Sequence, residues 1–177
     1  MTSPAPIAVI GLGNVLLSDD GFGPYAVELL RVGWEMPAAV ELIDAGTPGL
    51  GLVTYLYDRD LVVLVDAVAA TGSPGDLRWY TGEELRTLPP KPRVSPHDPA
   101  VQETLLMAQL TGHGPGTVRL IGAIPERTEI GIGLSPGMRT AAASAAALVV
   151  RELAACGAVV VPRRDITIPD LWFVRPA

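Results

Sequence analysis

The sequence predicts an α/β fold with three layers: a mostly parallel, twisted sheet of about five strands with helices on both faces. Three short segments, at residues 7–10, 40–43 and 61–65, are predicted to be strands, and the first and third are entirely apolar. Each segment ends in a glycine-rich or acidic loop. The third is continuously apolar, as a strand covered on both faces requires. Right-handed crossovers between these strands give a parallel sheet.

The first strand leads into a turn, an acidic loop and a helix. Gly11 and Gly13 allow a sharp turn of the backbone. Asp19 and Asp20 follow, and a helical apolar period begins at Phe22 and continues to residue 30. The two acids therefore follow the carboxyl end of a strand, where open α/β sheets place their binding sites.

This glycine turn is not expected to bind a nucleotide. The third glycine of a dinucleotide fingerprint is replaced by Leu16, and no Gly-Lys-Ser/Thr loop occurs in the chain. Two aspartates in the same loop would also repel a pyrophosphate. The loop is expected to attract cations, and no nucleotide cofactor is predicted.

The remaining elements follow in order along one domain, residues 1–177, which ends in a C-terminal extension of unknown role at about 162–177. Residues 77–80 are predicted to form an edge strand that can run antiparallel. Cys156 is predicted to pack near a helix end. The other predicted elements are a helix over 50–57, a helix that begins after Asp98, a central strand over 118–124 and a long helix from Pro136 to about Cys156.

Composition and charge restrict the classes of function. The net charge of -6 and the absence of a basic stripe argue against a nucleic-acid partner. A single cysteine excludes disulfides and thiolate clusters and suits a reducing compartment. The first residues lack a basic signal region, and the most apolar later stretch, residues 140–156, is interrupted by Arg151 and Glu152. We therefore expect a cytoplasmic monomer that neither enters a membrane nor binds nucleic acid.

Three residues from separate segments are predicted to meet at one edge of the sheet. Asp20 follows the first strand, Asp66 ends the third, and His97 precedes a helix. If the strand order is second, first, third, fourth, a crevice opens between the first and third strands. Two carboxylates and an imidazole suit a borderline or hard divalent ion.

Structural interpretations of the same residues remain open at this point. Asp66 could cap the turn that follows it, and His97 could orient its neighbour Asp98. Asp19 and Asp20 could be acids favoured at a helix start. Asp44 could bond the amides of its own loop, and His113, between two glycines, is expected to be a solvated loop residue.

Five stretches resemble one protein family. They lie at residues 11–23 (GLGNVLLSDDGFG), 44–50 (DAGTPGL), 62–68 (VVLVDAV), 95–99 (SPHDP) and 122–136 (GAIPERTEIGIGLSP). In these the chain resembles the hydrogenase maturation endopeptidases, which trim the carboxyl-terminal extension from the large subunit of nickel-iron hydrogenases. The resemblance implies a twisted α/β sheet and a partner, the hydrogenase large-subunit precursor, which itself carries the nickel.

The resemblance also implies roles for individual residues. It assigns metal recognition to Asp20, Asp66 and His97, although some family members have glutamate in place of Asp20. Asn14, Asp44 and Thr47 are the candidates for substrate binding. No nucleophile is assigned; Asp20 and Asp66 are the candidates for a catalytic role. Two alternatives remain: a freestanding metallohydrolase that holds its own zinc, and a non-catalytic chaperone that checks for nickel.

Overall fold

The computed structural model describes residues 4–87 and 100–164. Seven strands occur in this part of the chain: β1 (Ile7–Leu12), β2 (Trp34–Glu35), β3 (Val40–Gly46), β4 (Leu61–Ala67), β5 (Leu77–Thr81), β6 (Thr117–Ala123) and β7 (Val161–Pro162). Its α-helices are α1 (Phe22–Gly33), α2 (Val53–Leu56), α3 (Gly82–Thr87), α4 (Ala100–Leu110) and α5 (Pro136–Ala155). Single 3-10 turns at Ser18–Gly21 and Gly49–Leu52 precede α1 and α2.

Five strands form the main sheet in the order β3-β1-β4-β6-β5. The first four are parallel, and β5 runs antiparallel to β6 at the edge. The predicted mostly parallel sheet is therefore confirmed, as is the antiparallel edge strand. The prediction that the second, first and third strands lie side by side in that order is also confirmed.

Helices cover both faces of this sheet, so the predicted three layers are confirmed. One face packs against α1 and α5, with Val9 and Val63 buried beneath Phe22 and Met138. The other face packs against α2, α3 and α4, which together bury the alternate strand residues such as Ile10. Because every residue of β1 is buried, this strand lies at the centre of the fold.

Some predicted boundaries were wrong by a few residues. Asp44 lies inside β3, which continues to Gly46, and Asp66 is followed by one more residue of β4. The helix predicted over 50–57 divides into the 3-10 turn at Gly49–Leu52 and the short α2. The packing prediction for Cys156 was wrong: α5 ends at Ala155, the chain turns away at the next glycine, and the thiol is exposed.

The first residues of the predicted C-terminal extension are tied to the domain. Strand β7 pairs with β2, the short strand that directly follows α1. The Arg163 backbone N–H also donates to the Gly33 carbonyl at 2.9 Å. Residues 165–177 lie outside the described part. Within residues 4–87 and 100–164, no helix combines the length and the hydrophobicity needed to cross a membrane.

Candidate functional site

The centre of the candidate site is the carboxyl edge of β1 and β4. These two strands pair in parallel, from Ile7 opposite Leu61 to Gly11 opposite Val65. From β1 the chain crosses to β3 on one side, and β4 then adds on the other side. The edge between β1 and β4 is therefore the point where the strand order reverses, which is where open α/β sheets bind ligands.

Glycines bring the start of α1 directly over this edge. A Cβ on Gly23 would collide with the backbone oxygens of Leu12 and Val65, the last residues of the paired region. A Cβ on Gly11 would meet the Gly23 carbonyl oxygen at 2.5 Å. Gly13 has a φ of 127°, and a Cβ there would collide with the Asp20 carbonyl oxygen. The glycines of residues 11–23 are thus required for close backbone packing around the acidic loop.

Asp20 lies in the 3-10 turn that joins β1 to α1, and its side chain is buried. The backbone N–H of Asn14 donates to its Oδ2 at 2.8 Å. The Asn14 Oδ1 in turn accepts the Leu16 N–H at 3.0 Å. The loop from β1 is therefore folded around the Asp20 carboxylate.

Asp66 is the penultimate residue of β4 and is partly buried. It lies opposite Gly122 in the neighbouring strand β6. Strand alternation places its side chain on the same face as Val62 and Leu64, the face covered by α4. Asp20 therefore lies in the turn that follows β1, and Asp66 lies near the end of the neighbouring strand β4 and faces the α4 side.

His97 lies outside the described residues, but the helix that follows it is described. At its far end α4 leads back to the amino edge of the sheet, where the Thr117 N–H donates to the Asp60 carbonyl. Helix α4 also packs against the 3-10 turn Gly49–Leu52, which follows the carboxyl end of β3. Its eleven residues span about 16 Å, so Ala100 lies toward the carboxyl edge.

His113 is at the opposite edge of the sheet. Its carbonyl oxygen accepts the Asp58 N–H, just before β4 begins. Its ring Nδ1 lies 3.0 Å from Asp58 Oδ1, and the ring centroid is 5.6 Å from that of Tyr57. The side chain is exposed, as predicted for a loop histidine.

Asp44 and Thr47 border the carboxyl edge on its β3 side. Asp44 lies opposite Gly11, and its Oδ1 accepts the Gly46 N–H at 3.1 Å, which is the loop-amide contact considered for it. The Gly13 N–H donates to the Gly46 carbonyl at 2.9 Å. These contacts hold the β3 loop against the loop that carries Asn14 and Asp20.

Asp19 has a role that the sequence interpretation missed. Its side chain is fully buried, and it accepts three backbone N–H groups from the loop after β6. Oδ2 accepts those of Glu126 and Arg127 at 2.9 and 3.1 Å, and Oδ1 accepts that of Ser135 at 2.6 Å. Such hydrogen bonds offset the loss of water around a buried carboxylate. The pair of adjacent acids was the feature of the sequence that could have indicated two roles. Asp19 joins two loops, and its neighbour Asp20 lies at the carboxyl edge.

Within the described residues, no group of three or more histidine, cysteine, aspartate and glutamate side chains is arranged to hold a metal ion. Asp20 and Asp66 would thus need a further ligand from His97 or from a bound substrate to complete a metal site.

Comparison with known proteins shows the family. The family model described as hydrogenase maturation protease matches residues 24–152. The chain belongs to the hydrogenase maturation protease family. It is 33% identical to the Hydrogenase 2 maturation protease of Escherichia coli K12, over 90% of this chain and 98% of that protein. It is 34% identical to the hydrogenase expression/formation protein HupD of Thiocapsa roseopersicina, over 100% of this chain and 80% of that one.

Solved structures agree with this family assignment. The hydrogenase maturating endopeptidase HybD from E. coli superposes with a TM-score of 0.82 at 33% identity, covering 89% of this chain and 97% of that one. A hydrogenase 2 maturation peptidase from a Thaumarchaeota archaeon gives 0.65 at 34% identity, covering 84% and 97%. The predicted family and the prediction of an endopeptidase are therefore confirmed. The non-catalytic chaperone alternative was wrong.

Proposed function

We propose that this endopeptidase removes the C-terminal extension of a nickel-loaded nickel-iron hydrogenase large-subunit precursor. In this proposal Asp20, Asp66 and His97 recognise the nickel that the precursor already carries. The nickel is part of the substrate, and the protein has no nucleotide cofactor. The observation that supports the proposal is that Asp20 lies in the turn after β1 and Asp66 near the end of the adjacent parallel strand β4, where the strand order reverses.

The donor set suits recognition of a metal better than its storage. Carboxylate oxygens and a neutral imidazole are ligands for borderline divalent ions such as nickel. The two aspartates come from separate elements, and the described residues supply no closed cluster around them. A metal already held by the precursor can bring its own ligands to such an open edge, so a precursor without metal would gain little binding energy there.

In this proposal, the nickel that the two aspartates recognise also promotes cleavage of the peptide bond. A divalent ion beside the scissile bond polarises the peptide carbonyl or lowers the pKa of a water that attacks it. Asp20 or Asp66 can accept the proton from that water. The Asn14 N–H donates to one oxygen of the Asp20 carboxylate and so fixes the orientation of this group within its loop.

Asn14, Asp44 and Thr47 are proposed to contact the polypeptide of the precursor. All three lie on the loops that follow β1 and β3, and the hydrogen bonds between these loops keep their spacing fixed. Their side chains offer amide, carboxylate and hydroxyl groups. Such groups can pair with the exposed backbone of an extended peptide.

The proposal is tested by incubating the purified protein with matched nickel-loaded and nickel-free precursor and measuring the mass of the large subunit. We expect only the nickel-loaded form to be shortened, and we expect the protein as isolated to hold little metal. Equal cleavage of both forms, with a stoichiometric metal retained by the protease, would instead support a metallohydrolase with its own zinc.

A further inference from the structure

Three exposed aliphatic side chains lie beside the candidate site. Leu16 belongs to the loop after β1, and Ile130 and Ile132 belong to the loop after β6. Their exposed fractions are 51%, 89% and 44%. We call these three residues the apolar rim. Exposed leucines and isoleucines scattered singly need no explanation, but three on two joined loops next to a site do.

Backbone pairing puts the three residues together. Leu17 and Gly131 form a parallel β-bridge, in which the Gly131 N–H donates to the Leu16 carbonyl and the Ser18 N–H donates to the Gly131 carbonyl, both at 2.9 Å. Leu16, Ile130 and Ile132 are the chain neighbours of this pair, so the bridge holds their backbones close together.

The two loops are held rigidly by buried polar contacts. The Asp19 carboxylate bonds the backbone at Glu126, Arg127 and Ser135, the two ends of the second loop. The Ser18 hydroxyl donates to the Glu129 carbonyl at 3.0 Å. These contacts hold the two loops together without the aliphatic side chains of the rim. The rim therefore has no evident structural role, and its exposure to water is unfavourable.

The rim is continuous with the candidate metal site. The Leu16 N–H donates to the Asn14 side chain, and the Asn14 N–H donates to the Asp20 carboxylate. A polypeptide whose metal reaches Asp20 therefore passes beside Leu16. The charged side chains exposed on the second loop are two acids, Glu126 and Glu129, and one base, Arg127, so the border of the rim is net acidic, like the whole chain.

We infer that the apolar rim is a docking surface for an apolar, non-acidic segment of the precursor polypeptide. This inference rests on the proposed function, because it takes the substrate of the same site as the occupant. Aliphatic contact at the rim would hold the precursor before the metal is engaged. Acidic flanks on the segment would be repelled by Glu126, Glu129 and the site carboxylates.

The test is steady-state cleavage of nickel-loaded precursor by the double variant Leu16→Ser/Ile130→Ser. We expect KM to rise about tenfold, the effect of losing roughly one well-buried aliphatic contact, with kcat within about twofold of the wild type. Leu110→Ser is the matched control. Leu110 is 79% exposed at the far end of α4, toward the amino edge, so this change should leave both constants unaltered.

Three results would overturn the inference. These are an unchanged KM, a loss of kcat without a change in KM, and a wild-type dimer that the double variant converts to a monomer, which would make the rim a contact between two copies. Unchanged melting temperatures of both variants exclude a folding defect as the cause. If the wild type cleaves nickel-free precursor equally well, the nickel proposal fails, yet the rim can still be judged from KM on that substrate.

Discussion

The two edges of the main sheet carry similar residue types in opposite settings. At the amino edge, Asp58 and His113 are both exposed and contact each other across a 3.0 Å gap between ring nitrogen and carboxylate oxygen. At the carboxyl edge, Asp20 is buried in a loop folded around it, and Asp66 is the penultimate residue of the central strand β4. The residue type alone therefore does not identify a functional site. The position of an aspartate on the sheet distinguishes a surface contact from a candidate site.

The difference follows from how a parallel sheet is built. Every parallel strand leaves the sheet at the carboxyl edge, so loops from different strands converge there and can bury one another's polar groups. At the amino edge the chain re-enters from helices through short turns such as the one at His113. The exposed pair there is expected to contribute about 0–1 kcal/mol to stability, and nothing to processing.

The strongest test of this comparison removes a carboxylate from each edge. Asp20→Ala and Asp66→Ala should each lower the rate of processing of nickel-loaded precursor at least about a thousandfold, because each removes a proposed contact to the metal. Asp58→Ala, at the amino edge, should cleave at the wild-type rate. The rate is measured as the appearance of the shortened large subunit by mass.

The same set of variants checks that folding is not responsible. Each protein should retain a single cooperative melting transition, with a modest decrease for Asp20→Ala because the Asn14 N–H loses its acceptor. Wild-type rates in either Asp20→Ala or Asp66→Ala, with normal melting, would show that the site has been placed at the wrong residues.

The next test compares the two histidines. His97→Ala should reduce processing about a hundredfold or more, and His113→Ala should keep most of it, because His113 lies at the far edge against Asp58. A ligating imidazole must be neutral, so metal engagement should weaken as the pH falls through about 6.5, the usual pKa of histidine. The processing rates of the wild type and of His113→Ala, measured from about pH 5 to 8, the range in which an imidazole titrates, should both show this decrease. The reverse pattern would move the proposed ligand to the amino edge.

Much of the fold could be predicted because its signals are local. Residues 61–65 are continuously apolar, and β4 is indeed buried on both faces. The strand order β3-β1-β4 was only assumed from the sequence, since the general rules for crossovers allow it without requiring it, and the structure confirms it. By contrast, the ends of β3 and β4 extend past Asp44 and Asp66, because pairing with neighbouring strands continues beyond the apolar run.

The part of the site that could not be predicted is long-range. Asp19 bonds residues more than a hundred positions away, and nothing near it in the sequence distinguishes it from Asp20. The macrodipole accounts equally well for both acids at a helix start. Only the packed structure shows that Asp19 joins two loops. The assignment of Asp20, Asp66 and His97 to nickel stays a prediction.

The third test uses Asp19. It distinguishes a residue that stabilises the loops at the carboxyl edge from one that takes part in catalysis there. Asp19→Ala leaves three backbone N–H groups without their buried acceptor, and we expect the free energy of unfolding to fall by about 3 kcal/mol or more. Denaturant unfolding measures this. Asp58→Ala should change it by no more than about 1 kcal/mol. A fall of similar size in both variants would contradict the distinction between the two edges.

The smallest expected effect concerns an acid at the amino edge with a purely local role. Thr81, the last residue of β5, lies opposite Arg119 near the start of β6, and α3 begins there. The Glu84 carboxylate accepts the Thr81 backbone N–H at 2.7 Å and its hydroxyl at 2.9 Å, while the Glu84 N–H donates to that hydroxyl at 3.2 Å. This reciprocal arrangement caps the first turn of α3.

These hydrogen bonds to Thr81, first from its backbone and then from its side chain, lower the pKa of Glu84 below its usual value of 4.5. Because the folded pKa is the lower one, the charged carboxylate stabilises the folded state above about pH 4.5, and this contribution is lost as the pH falls through the folded value. Glu84→Ala should therefore lower the melting temperature slightly at pH 7, and the difference from the wild type should shrink on acidification. Glu83→Ala, an exposed neighbour in the same turn, is the matched control. A Glu84→Ala deficit that stays constant down to pH 3, or one that Glu83→Ala reproduces in full, would show that the cap owes nothing to the charge of Glu84.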